Sequence, residues 1–376
     1  MRKILFFTIS LRKGGAERVI CNLANELIKE NEVYIVLLDD DTSYSLDNRI
    51  KVEKLCSIGD VKNGVLKILL MPYYGYRLLR YVRKNNFDTI YSFLLRPNVI
   101  SVLVKLFNKH TKVVVSERSN PINQYASSNI SNRINKFLLR KFYPLANKIT
   151  VNSYGSLTAL REYYNINSPI EIVYNPVNEE FRNSSNDVSV KYPTFTFVTV
   201  GRLDEGKNHQ VLLASVKKLI TKGITGFCVK VIGDGVLKSQ LQNFCIENNI
   251  HNYVDFLGER NDTADLLNKC HSFLFTSKRE GFPNVLLEAL AANLPVISSD
   301  CPFGPREIFS GANILPKTSD DFFDIFSSGI LVPVNNIELT SKAMEYMMEN
   351  YNYFKVDSEI LDKYEVGRIA NQFNSL

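Results

Sequence analysis

No tryptophan occurs among the 376 residues, and the cysteines and histidines are sparse and dispersed. Cys21, Cys56, Cys228, Cys245, Cys270 and Cys301 form no C-x-x-C pair. That pattern fits separate buried thiols in a reducing compartment and excludes a zinc ribbon or a disulfide framework. His110, His209, His251 and His271 make neither H-E-x-x-H nor a Cys/His cluster, so no metal site is expected from these ligands. Long apolar runs are missing too. Met1-Arg2-Lys3 before Ile4-Leu5-Phe6-Phe7 imitates a signal peptide, but the run is short and passes into Arg12-Lys13-Gly14-Gly15 without a small-residue cleavage site. It reads as a first β-strand. Lys67, Pro72 and Gly75 interrupt the apolar stretch 65–79, which falls short of a membrane span. The expected location is cytoplasmic.

With 45% hydrophobic and 22% charged residues, the composition is that of a globular protein and excludes coiled coil, collagen and low-complexity chains. The length implies about two or three domains. The net charge of +6 is unevenly spread. Residues 1–190 hold 27 basic and 17 acidic side chains, and residues 191–376 hold 18 and 22. Residues 51–150 alone carry 18 basic and 4 acidic groups. Clustered positive charge suits an anionic lipid or a phosphorylated substrate. Nucleic acid is not expected as a partner, because no binding motif or basic-aromatic repeat accompanies the charge.

The first half alternates candidate strands (3–10, 32–40, 50–58, 87–94, 112–118, 147–153 and 170–175) with helical patterns. Most of these strands are continuous apolar runs, as in a sheet covered on both faces. Ala16, Val19, Ile20, Leu23, Ala24, Leu27 and Ile28 recur at the three-four spacing of one helix face. A polar stretch near 182–194 reads as a linker. A second series follows, with strands near 195–200, 227–232, 253–257, 272–276, 295–298 and 330–333, and closing helices over 337–350 and 357–373. Two such arrays imply two doubly wound α/β domains, 1–180 and 191–350. The segment 351–376 is expected to pack back toward the first domain. Ligands of such folds sit at the carboxyl ends of the strands, here expected in the cleft between domains.

Three motifs fall at those strand ends. Gly14-Gly15, between a strand and a helix, leaves backbone N–H groups at a positive helix end, where phosphate is the natural occupant. It is not G-x-G-x-x-G, although Asp39 at the end of the second strand could imitate the ribose acid of a dinucleotide site; a plain tight turn is the alternative. Arg202 and Lys207, in Gly201-Arg202-Leu203-Asp204-Glu205-Gly206-Lys207-Asn208, follow the first strand of the second domain. Two cations there can neutralise a diphosphate and stabilise charge on a leaving group. Glu280-Gly281-Phe282-Pro283-Asn284-Val285-Leu286-Leu287-Glu288 follows another strand, with Pro283 suited to a helix start. Its two carboxylates lie around amides of a helix N-terminus, and carboxylates accept hydrogen bonds well from sugar hydroxyls.

The set G-G-A-E-R near 14, G-R-L-D-E-G-K-N at 201, G-D-G at 233, F-L-G at 256 and E-G-F-P-N-V-L-L-E at 280 resembles glycosyltransferase family 4. Members are retaining enzymes of the GT-B fold. Asp300-Cys301-Pro302-Phe303-Gly304-Pro305-Arg306-Glu307-Ile308 is similar to the bacterial branch that builds O-antigen, capsule and lipid-linked oligosaccharides. The resemblance implies that Arg202 and Lys207 hold the donor diphosphate, assisted by the amides of Gly14 and Gly15. It implies that Glu280 binds donor-sugar hydroxyls beside the amides of Gly281, Phe282, Pro283-Asn284 and Val285, and that Glu288 binds the ribose. Leu257, Gly258 and Arg260 would line the base pocket, and uracil is the implied base because most members use UDP-sugars. Glu117, Arg118 and Asn120 would face the acceptor, and many members carry His where this chain has Arg118. The implied mechanism is front-side displacement without a metal, a cofactor or a protein general base. The implied acceptor is a polyprenyl-diphosphate-linked glycan at the inner face of the cell membrane. A basic segment, 131–148, with Ile134, Phe137, Leu138 and Phe142 at helical spacing, would touch anionic lipid there, unless it simply buries that stripe.

Three other readings compete. A metal-dependent GT-A transferase would use the D-x-D in Asp39-Asp40-Asp41, but that fold would not supply the motifs at 202–207 and 280–288. A sugar-nucleotide epimerase would share the GT-B fold and release free product. A non-enzymatic sugar-nucleotide-binding subunit would be expected to have lost Arg202, Lys207 or Glu280, and all three are present.

Overall fold

The computed structural model describes residues 1–12, 14–39, 44–55, 64–184, 190–311 and 321–376. The chain begins with β1 (Lys3–Thr8), α1 (Gly15–Leu27), β2 (Glu32–Leu37), β3 (Lys51–Lys54), α2 (Gly64–Leu69) and α3 (Met71–Asn85). It continues through β4 (Thr89–Phe93), α4 (Leu95–Phe107), β5 (Lys112–Glu117), α5 (Pro121–Gln124), α6 (Ile130–Phe142), β6 (Lys148–Val151), α7 (Tyr154–Thr158) and β7 (Ile170–Ile172). Then come α8 (Glu179–Ser184), β8 (Phe195–Val200), α9 (His209–Thr221), β9 (Phe227–Ile232), α10 (Lys238–Glu247), β10 (Val254–Gly258) and α11 (Thr263–Lys269). The rest is β11 (Ser272–Phe275), α12 (Asn284–Ala291), β12 (Val296–Ser299), α13 (Pro305–Ser310), β13 (Asp324–Phe326), β14 (Gly329–Val332), α14 (Ile337–Glu349), α15 (Ser358–Asp362) and α16 (Val366–Ser375).

The chain divides into two units, Met1–Pro176 with Tyr364–Leu376, and Val177–Lys363. In the first, parallel strands run in the order β3-β2-β1-β4-β5-β6-β7. Ile4 and Phe6 enter one apolar layer, Leu5 and Phe7 the other. Both faces of β1 are therefore covered, which is why its sequence is a continuous apolar run. One layer is closed by α1, through Val19, Ile20 and Leu23, and by Ile369 and Phe373 of α16. The Tyr91 hydroxyl donates to the Phe373 carbonyl at 2.5 Å.

That packing corrects the expected C-terminal boundary. The return to the first unit starts at Tyr364, and residues 351–363 stay with the second unit. The expected closing helix 357–373 is split into α15 and α16. The expected linker is corrected as well. The chain leaves the first unit at Pro176, and Val177 and Phe181 are buried in the second. The polar residues beyond Phe181 therefore belong to the second unit and do not mark the crossing. Residues 185–189 of that stretch lie outside the described residues.

The second sheet has the order β10-β9-β8-β11-β12-β14-β13. All its pairs are parallel except β13 with β14. The antiparallel edge strand β13 was not foreseen, because three residues carry too little periodicity to announce a strand. Phe197, Val229, Leu274, Ile297 and Ile330 form the layer on which α9 and α14 pack, through Leu212, Val216, Ala343 and Met347. Both sheets present the carboxyl ends of β-strands as loops, and the singled-out motifs lie on those loops.

Candidate functional site

In the second unit, the loop after β8 is held by backbone bonds to the loop after β9. Gly201 N–H donates to the Ile232 carbonyl at 3.0 Å, Leu203 N–H to Asp234 O at 2.9 Å, and Leu237 N–H to Leu203 O at 3.0 Å. Gly233, at φ +135°, lies so close that a Cβ there would sit 2.0 Å from the Gly201 carbonyl oxygen. Glycine is therefore required. Asp204 Oδ1 accepts from the N–H groups of Gly206 and Lys207 at 2.9 and 3.1 Å, which turns the chain into α9.

This turn separates the two expected phosphate cations. Arg202 is 77% exposed at its side chain and makes a 3.0 Å ion pair with Asp204. Such an exposed pair contributes at most about 1 kcal/mol, so Arg202 is readily drawn to another anion. Lys207 is more enclosed, and its Nζ lies 2.7 Å from Glu280 Oε1. The loop that carries Glu280, between β11 and α12, is joined to the Lys207 loop at two further points. Lys278 N–H donates to Gly206 O at 2.9 Å, and the Thr276 hydroxyl donates to Lys207 O at 3.1 Å. The structure thus brings Lys207 and Glu280, 73 residues apart in sequence, into direct contact on a fixed backbone.

Gly281 and Phe282 lead into α12 with Pro283 as its N-cap residue, followed by Asn284 and Val285. Pro283 touches Gly304, which adopts φ +106° and whose Cβ would lie 2.3 Å from Pro283 Cδ. Arg306 fixes that second loop from inside. Its Nε donates to Asp300 Oδ2 at 2.9 Å, and its Nη2 reaches Asp324 Oδ2 at 2.6 Å. Gly304 and Arg306 were singled out in the sequence only as a family mark. Gly304 lies against Phe282 and Pro283 of the loop that carries Glu280, and Arg306 ties Asp300 to Asp324. Cys301 is buried beside them, and burial, then the Glu280 carboxylate, push its thiol well above the usual range. It is held neutral. His209, the first residue of α9, is pushed down to about 4 by burial and then by the Lys207 charge, so it too is neutral.

Glu288 lies within α12, as expected, and is buried. Leu257 is partly buried at the end of β10, and the Gly258 carbonyl accepts from Gly233 N–H at 2.8 Å. Arg260 is exposed, with its guanidinium held by both carboxylate oxygens of Asp262 at 2.7 and 2.6 Å.

In the first unit, two sets of expected site residues have partners of their own. The Gly14 N–H is not free for phosphate, because it donates to the Tyr44 hydroxyl at 2.8 Å, which in turn donates to Gly14 O at 2.8 Å. Gly15 opens α1 and likewise has an interaction partner. The Glu17 carboxyl also crowds Gly14, and burial raises its pKa. The three acceptor-side residues are buried as well. Glu117 and Arg118 point to opposite faces of the sheet as β5 ends. Glu117 Oε2 accepts from the Tyr143 hydroxyl at 2.8 Å, and Oε1 from Ser119 N–H at 3.2 Å. Burial raises its pKa. Arg118 donates through Nε to Ser116 Oγ at 2.7 Å and through Nη1 to Val173 O at 2.7 Å and Asn175 Oδ1 at 3.0 Å. Its guanidinium lies 5.3 Å from the Phe373 ring centroid and 5.7 Å from that of Phe93, and burial pushes its pKa down to about 9. Asn120 caps α5, its Oδ1 accepting from Asn123 N–H at 3.2 Å. Most of their polar atoms are bonded within the unit, although Arg118 Nη2 is buried without a hydrogen-bond partner among the described residues.

One strand-end cation escaped sequence reasoning. Arg96 follows β4 just after Leu94, which adopts φ +72°. Burial lowers its pKa against the charge of Asp39. A cation immediately after a buried strand, followed by Pro97, was the available signal. Of the D-x-D stretch, Asp40 and Asp41 lie outside the described residues. Among the described residues, no three His, Cys, Asp or Glu side chains gather as they would around a metal ion.

Two doubly wound parallel sheets, the second with a cation and a carboxylate paired at its strand ends, define the GT-B class of glycosyl-transfer proteins. The family model described as Glycosyltransferase Family 4 matches residues 13–181, and the one described as Glycosyl transferases group 1 matches residues 181–359. The chain is 32% identical over 383 residues to the N-acetylgalactosamine-N,N'-diacetylbacillosaminyl-diphospho-undecaprenol 4-alpha-N-acetylgalactosaminyltransferase of Campylobacter jejuni, with 99% of each chain covered. Among solved structures it resembles sucrose-phosphate synthase from Thermosynechococcus elongatus, with a TM-score of 0.80 at 14% identity, covering 100% of this chain and 98% of that one. It also resembles Anabaena HepE in complex with UDP and glucose, with a TM-score of 0.74 at 17% identity, covering 100% and 99%. The chain belongs to the family 4, group 1 glycosyltransferases and is a transferase enzyme.

Proposed function

We propose that this enzyme moves a hexose or N-acetylhexosamine from a UDP-sugar to a hydroxyl of a polyprenyl-diphosphate-linked glycan, with retention at the anomeric carbon. The observation that carries the reading is the Lys207–Glu280 pair, a cation for diphosphate and a carboxylate for sugar hydroxyls, 2.7 Å apart on zipped strand-end loops. The Campylobacter relative supports the acceptor class, since its name gives an undecaprenyl-diphosphate glycan and an alpha linkage. HepE, bound to UDP and glucose, supports the donor class.

The acceptor oxygen forms its bond to the anomeric carbon on the face from which the nucleotide departs. The bond from that carbon to the phosphate oxygen breaks, and the acceptor's proton passes to the leaving phosphate oxygen. Arg202 and Lys207 then carry the developing charge, the task that a metal would otherwise perform. Neither a metal nor a cofactor is needed.

The enzyme works at the inner face of the membrane as a peripheral protein. Among the described residues, no helix is long and apolar enough to cross a membrane. On α6 only Leu139 is fully buried, while Ile130 and Phe137 are exposed beside Arg133, Arg140 and Lys141. The exposed Leu66 and Leu69 of α2, which packs against α6, extend that apolar and basic surface.

The test is incubation of purified enzyme with UDP-N-acetylgalactosamine, UDP-N-acetylglucosamine, UDP-galactose and UDP-glucose. Each reaction contains a short-chain polyprenyl-diphosphate glycan and is run with and without EDTA. A lengthened glycan with an alpha linkage and EDTA-insensitive turnover is expected. Epimerised free sugar would support the epimerase reading, and loss in EDTA with rescue by manganese would overturn the metal-free mechanism.

A further inference from the structure

The contact between Lys207 and Glu280 joins two groups whose proposed ligands are different halves of the donor. Their side chains are 24% and 16% exposed, so each charge is largely removed from water. A largely desolvated charge needs a partner, and in this structure each supplies the other's. The backbones that carry them are not free to part. The Lys207 amide is held by Asp204 Oδ1, its carbonyl by Thr276 Oγ1, and Lys278 N–H by Gly206 O. The Lys207 backbone is tied at both its amide and its carbonyl, so it is the side chain, with its four-carbon stem, that moves.

We infer that the Lys207–Glu280 ion pair is a counter-ion switch. The diphosphate of the nucleotide takes Lys207 away from Glu280, and the released carboxylate then accepts hydrogen bonds from the sugar. A carboxylate and a diphosphate cannot share one ammonium at a few ångströms without repelling each other. Before the nucleotide arrives, Glu280 Oε1 accepts from Lys207 Nζ, and that acceptor position is not open to a sugar hydroxyl. After it arrives, the same carboxylate is without its cation and must find donors, which the sugar hydroxyls provide. Phosphate binding and sugar recognition are thereby coupled through a single contact. This inference rests on the reading of the second unit as the donor site.

A consequence runs against intuition: removing an acidic residue of the donor site should tighten the nucleotide. Wild type, Glu280→Gln, Lys207→Met and the double variant are titrated with UDP by calorimetry. Glu280→Gln is expected to bind UDP about three- to tenfold more tightly, the range of a partly exposed ion pair. Lys207→Met should weaken UDP, and in that background Glu280→Gln should change the affinity less than about twofold, because the cycle then contains no pair to break. UDP-sugar, unlike UDP, should not bind Glu280→Gln more tightly, since the carboxylate's bonds to the sugar are lost. A merely structural role for Glu280 would shift both ligands in the same direction. Glu280→Asp, with its charge drawn back by one methylene, gives a second measurement if the Gln variant folds poorly, and a smaller gain is expected from it. Unchanged or weaker UDP binding in Glu280→Gln, or an equal gain in both backgrounds, overturns the switch alone. If wild type binds none of UDP, ADP, GDP and dTDP, the donor-site reading itself falls.

Discussion

The two units share a doubly wound parallel sheet and treat their strand-end charges in opposite ways. In the second unit, Arg202 extends into solvent, and Lys207 and Glu280, both mostly enclosed, hold each other while backbone bonds join their loops. In the first, Glu117, Arg118 and Asn120 occupy the corresponding end of β5 and turn inward. A charged residue at a strand's carboxyl end is therefore only a candidate. What separates a reactive group from a structural one is whether its partners are exchangeable. Under the proposed donor reading, Asp204 and Glu280 are carboxylate partners that a diphosphate can replace, whereas Arg118 is held by the Val173 carbonyl and lies near two aromatic rings.

The sharpest way to break that comparison is to remove one cation from each unit. Lys207→Ala should lower turnover by at least about a hundredfold, the scale of a lost charge-stabilising donor, and should leave the unfolding midpoint within a few degrees. Arg118→Met should do the reverse. It leaves the Val173 carbonyl and Asn175 without their donor and removes a guanidinium that lies 5.7 and 5.3 Å from the Phe93 and Phe373 ring centroids, which costs about 2–4 kcal/mol in urea unfolding. Comparable losses of stability in the two variants would erase the distinction.

Sequence alone supplied most of the alternation of strands and helices because a sheet buried on both faces writes continuous apolar runs; β3, KVEK and exposed along its length, does not follow that rule, and the short β13 was missed. The Lys207 and Glu280 loops were legible too, since glycines, a helix-starting proline and charges coincide there. Their contact was not, because 73 intervening residues carry no trace of pairing. Nor was the burial of Arg118 visible. The alternation of a strand says that Glu117 and Arg118 face opposite ways, but the cover over Arg118 comes from α16, more than two hundred residues later, and the partner of Glu117 is Tyr143. The same blindness applied at Gly14, where the glycine turn suggested free amides and the hydroxyl of Tyr44 had taken one of them.

A pH measurement sharpens the comparison within the first unit. Burial raises the pKa of Glu117 from its ordinary 4.5, so the folded protein keeps this proton above the pH at which the unfolded chain releases it. Unfolding in that window releases a proton, and native stability falls as pH rises from 4.5 toward the folded value. Glu117→Gln has no such proton. Its stability relative to wild type should improve with rising pH, as read by urea unfolding at a series of pH values. Parallel profiles would mean that Glu117 is ionised in the fold and that its hydrogen bonds outweigh burial.

The smallest expected effects concern the outer surface of α6. Arg133 and Lys141 are exposed, while Arg140 donates to the Tyr163 carbonyl at 3.0 Å and Lys136 lies 5.9 Å from the Tyr163 ring centroid. If this surface meets anionic lipid, the first two cations are available to headgroups, and the second two are partly engaged by the protein. Arg133→Ser and Lys141→Ser should each weaken binding to phosphatidylserine-containing vesicles about three- to fivefold at physiological salt, and Lys136→Ser and Arg140→Ser by less. Binding should fall with added salt, as screening over about 8–10 Å requires, and neutral vesicles should bind only through Ile130, Phe137 and the exposed leucines of α2. Co-sedimentation reads all of these. Equal binding to neutral and anionic vesicles, or four variants indistinguishable from wild type, would show that α6 is simply the basic outer face of the first unit.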